Sequence, residues 1–220
     1  MTSAKRKQSP RRTRRSSLVL LVAAGVVAGL AVAMAVVPGF GPRSLANRVV
    51  EAFGGVTCDE RQCPPDAGWA WPVEASVTSA FRSPQRPDHH GVDIATDRGS
   101  PVLAASAGLV LTAECEASVQ GEPYGCDRDG GSEVLGCGWY VKLLHAHHIA
   151  TLYCHLQQQP EVSVGDAVDT GQLLGYVGSS GNSSEPHLHF EVQTGSTFRP
   201  PRSATAVDPV PFLADREVTR

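Results

Sequence analysis

At 220 residues, with 41% hydrophobic residues, 22 Gly and 16 Pro, the chain suits one ordinary turn-rich domain plus a tail and is too apolar for a disordered polymer. Its net charge of −3 conceals an asymmetry: residues 1–43 hold eight of the 19 Lys+Arg and no acidic residue, leaving 11 Lys+Arg against 22 Asp+Glu, a net −11, for the remainder. A basic start on an acidic body is no nucleic-acid signature; it reads as an arrangement for export.

Residues 1–17 form a basic segment with cations at Lys5, Arg6, Lys7, Arg11, Arg12, Arg14 and Arg15. The uncharged run Leu18 to Val37 follows, and about 20 apolar residues suffice to cross a bilayer as a helix with the preceding cations left cytoplasmic. The expectation is therefore a transmembrane anchor at 18–37, or a signal segment cleaved at Ala31-Val32-Ala33 or Ala33-Met34-Ala35, with the body outside the cytoplasm in either case. Residues 38–70 read as a linker, with a short amphipathic helix over 45–53 and a local disulfide between Cys58 and Cys63. The six cysteines are an even number, and with export they predict three disulfides, whose connectivity the sequence does not choose.

From Trp69 the texture changes to short β-favouring runs broken by Gly, Pro and Asp. Strands are predicted over 73–81, 101–111, 139–144, 150–155, 172–177 and 187–192, with no helical pattern of 10–15 residues between them, so the fold class is all-β. The stretch Glu114 to Gly138 reads as a long loop pinned by disulfides. His145, His147 and His148 read as a polar hairpin turn, and residues 213–220 as a loose tail after a domain spanning 71–212.

Three segments carry candidate chemistry. In Pro186-His187-Leu188-His189-Phe190-Glu191-Val192, strand alternation turns His187 and His189 one way and Leu188 and Phe190 the other. Two imidazoles on one face are awkward core filler, because each ring nitrogen needs a partner, but they suit a metal; the plainer alternative is a surface pair. In His89-His90-Gly91-Val92-Asp93, His89 and Asp93 share a face, and Gly91 lets the backbone come close to a neighbour. Nitrogen and carboxylate oxygen are both zinc donors, and with His189 they make three, leaving a fourth position open as in catalytic sites; alone, they would be an ordinary loop histidine and turn aspartate. In Thr151-Leu152-Tyr153-Cys154-His155-Leu156, alternation places His155 on the face of Tyr153 and opposite Cys154, which argues against a Cys154/His155 nucleophile pair.

These segments occur in the order His89–Asp93, Gly99-Ser100-Pro101-Val102, Tyr153–Leu156, Val164-Gly165-Asp166 to Gly171-Gln172, Gly175–Gly181 and His187–Glu191. In that order, residues of about 72–192 resemble the lysostaphin-type (LytM-domain) zinc metallopeptidases that cut peptidoglycan. The resemblance implies a largely antiparallel β core with a groove for an extended peptide. It implies one Zn2+ on His89, Asp93 and His189, and His155 and His187 as the catalytic pair beside it. Two positions depart from the family pattern: Phe81-Arg82-Ser83 stands where a Gly close to an Arg is common, and Glu185 stands where Gly is frequent. The expected function is zinc-dependent hydrolysis of peptide bonds in peptidoglycan stem peptides or cross-links, with peptidoglycan peptides and the membrane (through 18–37) as partners and no nucleic acid. Two rivals stand beside it: a non-catalytic relative that binds wall or activates another hydrolase, and a part of an envelope machine that remodels wall locally.

Overall fold

A computed structural model describes residues 68–195 and 205–218, all within one compact unit, Thr57–Arg220. The chain runs β1 (Val77–Ser79), β2 (Val92–Ala95), β3 (Pro101–Leu103), β4 (Gly108–Val119), β5 (Glu122–Pro123), β6 (Leu135–Leu144), β7 (Ala150–Leu156), β8 (Ala167–Val168), β9 (Leu173–Tyr176), β10 (His187–Gln193), β11 (Ala206–Val207) and helix α1 (Pro209–Ala214). Nine strands form one sheet in the order β1-β2-β10-β7-β6-β4-β5, with β11 on β10 and β8 on β4; β3 and β9 form a separate ribbon. Every pairing is antiparallel. The all-β expectation holds, and so does the antiparallel core.

One face of the sheet is apolar. Val92 and Ile94 from β2, Leu188, Phe190 and Val192 from β10, Tyr153 from β7 and Val141 and Leu143 from β6 form one buried cluster with Val102 of β3 and Leu174 of β9. Burial of these β-branched and aromatic side chains supplies the main driving force for the fold. The alternation that buries Leu188 and Phe190 necessarily turns His187 and His189 to the other face.

Several sequence expectations are corrected. The predicted strand 101–111 is two strands in different sheets, because the small residues Ala104, Ala105 and Ser106 turn the chain between β3 and β4. The predicted strand 73–81 shrinks to β1, an edge strand whose register shifts between Val77 and Ser79. The stretch 114–138 is strand at both ends: β4 continues to Val119 and β6 begins at Leu135, so the connection is 120–134, with β5 inside it. Glu114 and Glu116 mask the strand, but Tyr140 on the paired strand donates its hydroxyl to Glu114 Oε1 at 2.7 Å. Disulfides join Cys115 to Cys126, which pins that connection, and Cys137 to Cys154, which ties β6 to β7.

The tail expected from 213 begins inside a helix. Asp208 caps α1 by accepting from the Val210 amide at 2.9 Å, and Leu213 is fully buried with Phe212 nearly so. Trp69 meets the Phe212 ring edge-on at 4.9 Å between centroids. Among the histidines expected in a polar turn, His147 and His148 are exposed, but His145 is buried. Its Nδ1 lies 2.9 Å from the Ala107 carbonyl and its Nε2 2.7 Å from Thr151 Oγ1, so both ring nitrogens are satisfied internally.

Among the described residues, no helix is long and apolar enough to cross a membrane. The anchor or signal at 18–37, the helix at 45–53 and the Cys58–Cys63 pair lie outside the described residues.

Candidate metal centre

Two strand pairings and one glycine assemble the site. His189 of β10 stands opposite Asp93 of β2 in the ladder, so their side chains rise together on the face away from the core. His89 precedes β2 and reaches the same point across Gly91. A Cβ at Gly91 would lie 2.4 Å from the Phe190 carbonyl oxygen, so only glycine lets the chain cross β10 this closely.

The result is a triangle of donor atoms. His89 Nε2 is 2.9 Å from Asp93 Oδ1 and 3.0 Å from His189 Nδ1, and His189 Nδ1 is 2.8 Å from Asp93 Oδ1. Among the described residues this is the one group of three or more His, Cys, Asp or Glu whose donor atoms converge in this way. With zinc–nitrogen and zinc–oxygen bonds of about 2.0–2.2 Å, tetrahedral donors stand roughly 3.3 Å apart. Two imidazoles and one carboxylate at this spacing fit a zinc ion.

Neighbouring groups fix the ring orientations. His89 Nδ1 lies 2.9 Å from the Ala80 carbonyl oxygen. A carbonyl only accepts, so Nδ1 carries the proton and Nε2 presents its lone pair to the triangle. His189 Nε2 lies 3.2 Å from Glu191 Oε1 on the side away from Asp93. Arg86 binds the second oxygen of Asp93 and donates to Ser79 Oγ at 2.9 Å.

His155 and His187 stand beside the triangle, their ring centroids 4.7 Å apart, with His155 6.0 Å from His189. His187 Nε2 is 3.7 Å from Asp93 Oδ1, and its Nδ1 is 2.9 Å from the Glu185 carbonyl. His155 does not keep to strand alternation. Tyr153 points into the core against Phe190, whereas His155, at φ +66°, swings out of step to meet His187. That left-handed backbone is costly for a non-glycine residue, which marks the position as constrained by its surroundings. His155 Nδ1 lies 2.8 Å from the Ser180 carbonyl, leaving the Nε2 lone pair available.

Electrostatics separates the roles these groups can take. Burial drives the His155 imidazole down to about 3, assisted by the charges of His187 and His189, so it is neutral throughout the physiological range. Burial opposes charge on His189 as well, but hydrogen bonds to Asp93 and Glu191 outweigh it and raise that ring to about 9. Burial likewise disfavours the Asp93 carboxylate, yet the His189 and His89 imidazoles set against it outweigh that and hold it well below the usual carboxylate range. A cavity of about 420 Å³ lined by Arg86, His90, His189 and Glu191, among others, opens beside the triangle.

All five sequence-predicted residues converge; His90, His147 and His148 do not join them. Arg86, Ser180 and the outer role of Glu191 were missed. Glu191 was legible in principle, since alternation puts it on the face of His189; Arg86 sits in an irregular loop that carries no periodic signal. Arg82, whose role the sequence left open, lies over the Phe81 ring at 4.8 Å to the centroid.

The family model described as Peptidase family M23 matches residues 87–209, more than half of the chain. The chain belongs to peptidase family M23. Lysostaphin of Staphylococcus staphylolyticus is 35% identical over 125 residues, covering 57% of this chain and 22% of that protein. The glycyl-glycine endopeptidase ALE-1 of Staphylococcus capitis is 36% identical over 126 residues, covering 57% of this chain and 29% of that protein. A crystal structure described as a peptidase M23 from Pseudomonas aeruginosa shares the fold, with a TM-score of 0.52 at 24% identity over 78% of this chain and 59% of that one. The M23 chain thus spans under a third of the length of these two curated relatives.

Proposed function

We propose that this M23 chain is a zinc-dependent endopeptidase that hydrolyses peptide bonds in peptidoglycan stem peptides or cross-links. One observation carries the reading: His89 Nε2, Asp93 Oδ1 and His189 Nδ1 converge within 3.0 Å of one another on the sheet face that also holds His155 and His187. His89, Asp93 and His189 hold the ion in this reading. Zinc bound there supplies Lewis-acid polarisation of the scissile carbonyl and acidification of a water molecule.

The remaining work falls to the chain's own residues. His155 is neutral, its Nδ1 proton committed to the Ser180 carbonyl, so its Nε2 accepts a proton from the attacking water. His187, oriented by its Nδ1–H on the Glu185 carbonyl, faces the same space and, when it carries a second proton on Nε2, donates that proton to the developing oxyanion or the leaving amine. His189 and His89 keep the Asp93 carboxylate ionised against the cost of burial, and Arg86 fixes its direction through the second oxygen.

The body acts outside the cytoplasm in this reading, held to the cell membrane by residues 18–37. The family membership, the two disulfides and the basic-then-apolar start support it. Membrane fractionation with N-terminal sequencing tests the anchor: an intact chain in the membrane fraction supports it, and a soluble chain beginning near Ala35 replaces it with a cleaved signal.

The test of activity is release of new amino groups from purified peptidoglycan by the full chain, with and without a chelator, alongside metal analysis. Chelator-sensitive release with about one zinc per chain is expected. Zinc-free protein, or release that a chelator leaves intact, would overturn the reading.

A further inference from the structure

β10 carries more than the two histidines on its outer face. Alternation continues through Glu191 and Gln193, and all four side chains at 187, 189, 191 and 193 lie in a row. Glu191 is 5% and Gln193 1% exposed, an unusual depth for an acidic and an amide side chain on one strand. Each is accounted for by a specific bond. His189 Nε2 is 3.2 Å from Glu191 Oε1, Gln193 Nε2 donates to Glu191 Oε2 at 2.7 Å, and Lys142 Nζ donates to Gln193 Oε1 at 2.9 Å. Lys142, on β6, is the one lysine of the chain beyond residue 7. It reaches this row across β7, where Leu152 pairs with both Lys142 and Glu191.

We infer that Glu191 is a positioning residue for the metal centre and that Gln193 and Lys142 hold it in place. The inference rests on the reading of His89, Asp93 and His189 as the zinc ligands. A histidine that binds through Nδ1 must carry its proton on Nε2, and a carboxylate facing Nε2 enforces that tautomer and makes Nδ1 a better donor. The carboxylate acts only if it stays aimed at the ring. Gln193 satisfies its second oxygen, and Lys142 fixes the Gln193 amide so that its NH2, not its carbonyl, faces Glu191. Two strands, β10 and β6, thereby set the direction of one ring.

The experiment measures zinc affinity of the full chain by equilibrium competition with a chromophoric chelator, for wild type, Glu191→Gln, Glu191→Ala, Lys142→Met and His189→Ala. Melting temperatures of the metal-free proteins are taken in parallel. Wild type should bind one zinc, and His189→Ala should lose it. Glu191→Gln and Glu191→Ala should each weaken zinc binding by roughly 10–100-fold, and Lys142→Met by less. Glu191→Gln conserves volume, so its metal-free melting temperature should stay near that of wild type. Nitrogen NMR of the zinc-loaded protein supplies a readout that a purely structural role would not move: the His189 Nε2–H signal should be present and protected in wild type and lost or fast-exchanging in Glu191→Ala. Wild-type affinity in both Glu191 variants, or weakened binding with the Nε2–H signal unchanged, would overturn the inference. A wild-type protein that binds no zinc would instead overturn the metal reading beneath it.

Discussion

His155 and His189 lie 6.0 Å apart between ring centroids, yet their surroundings push them in opposite directions. His155 is buried against a carbonyl and two other imidazoles, so it stays neutral; His189 is caught between two carboxylates, so it holds a proton when no metal is present. Two expectations follow at this scale. His155→Ala should keep the zinc while turnover falls about a hundred- to ten-thousand-fold, whereas His189→Ala should lose both; metal analysis alongside amine release separates them. Zinc must also displace the His189 proton. Since the metal-free ring titrates near 9, zinc affinity should rise by up to about tenfold per pH unit as pH increases toward that value and level off above it. Competition titrations at several pH values check the slope, and a pH-independent affinity would contradict the Asp93–His189–Glu191 arrangement.

At the scale of elements, the connection 120–134 and the segment 179–181 are docked backbone to backbone. The Gly130 amide donates to the Ser179 carbonyl at 2.8 Å and the Gly131 amide to the Gly181 carbonyl at 3.2 Å. A Cβ at Gly130 would lie only 1.6 Å from the Gly181 carbonyl oxygen, which no side-chain adjustment relieves. The same segment supplies the Ser180 carbonyl that orients His155, and Ser180 Oγ donates to the Leu156 carbonyl at 2.7 Å while accepting from the Trp139 amide at 2.9 Å. Gly130→Ala should therefore cost about 1–3 kcal/mol of stability and reduce turnover far more than zinc content. Thermal melts with metal analysis and amine release test it; unaltered turnover would show that the docking does not govern His155. The disulfide-pinned connection is thus part of the support for the site.

Across the whole molecule, the described chain ends meet on one side of the core. Trp69 stacks edge-on against Phe212, and Arg216 lies 3.6 Å from the Phe212 ring centroid and 5.4 Å from that of Trp69. Leu213 is fully buried in the same cluster as the strand residues beneath the metal centre. Leu213→Ala should cost about 2–5 kcal/mol, measured by chemical denaturation. A cost near zero would restore the loose-tail reading of residues 213–220.

The sequence by itself determined the chemistry-bearing face. Spacing of two on a strand is enough to put His187 and His189 on one side and Leu188 and Phe190 on the other, and Gly91 between His89 and Asp93 announced a close backbone approach. The short β-favouring runs likewise implied an all-β body. What only the tertiary structure decided is everything that depends on a neighbour distant in sequence. His155 was predicted on the face of Tyr153, and alternation gives no hint of the +66° φ that turns it toward His187; the Ser180 carbonyl comes from the segment between β9 and β10, and the Cys137 tether on the neighbouring Cys154 from β6. Glu114 and Glu116 hid the length of β4: Glu114 is satisfied across the sheet by Tyr140, and Glu116 is exposed. Leu213 looks like the start of a loose tail until the core that receives it is folded. Local pattern settles which way a strand side chain points, because the period of two is a property of the backbone alone. Which side chains meet is settled by pairing, since register and burial are energies of contacts that exist only once the sheet has formed.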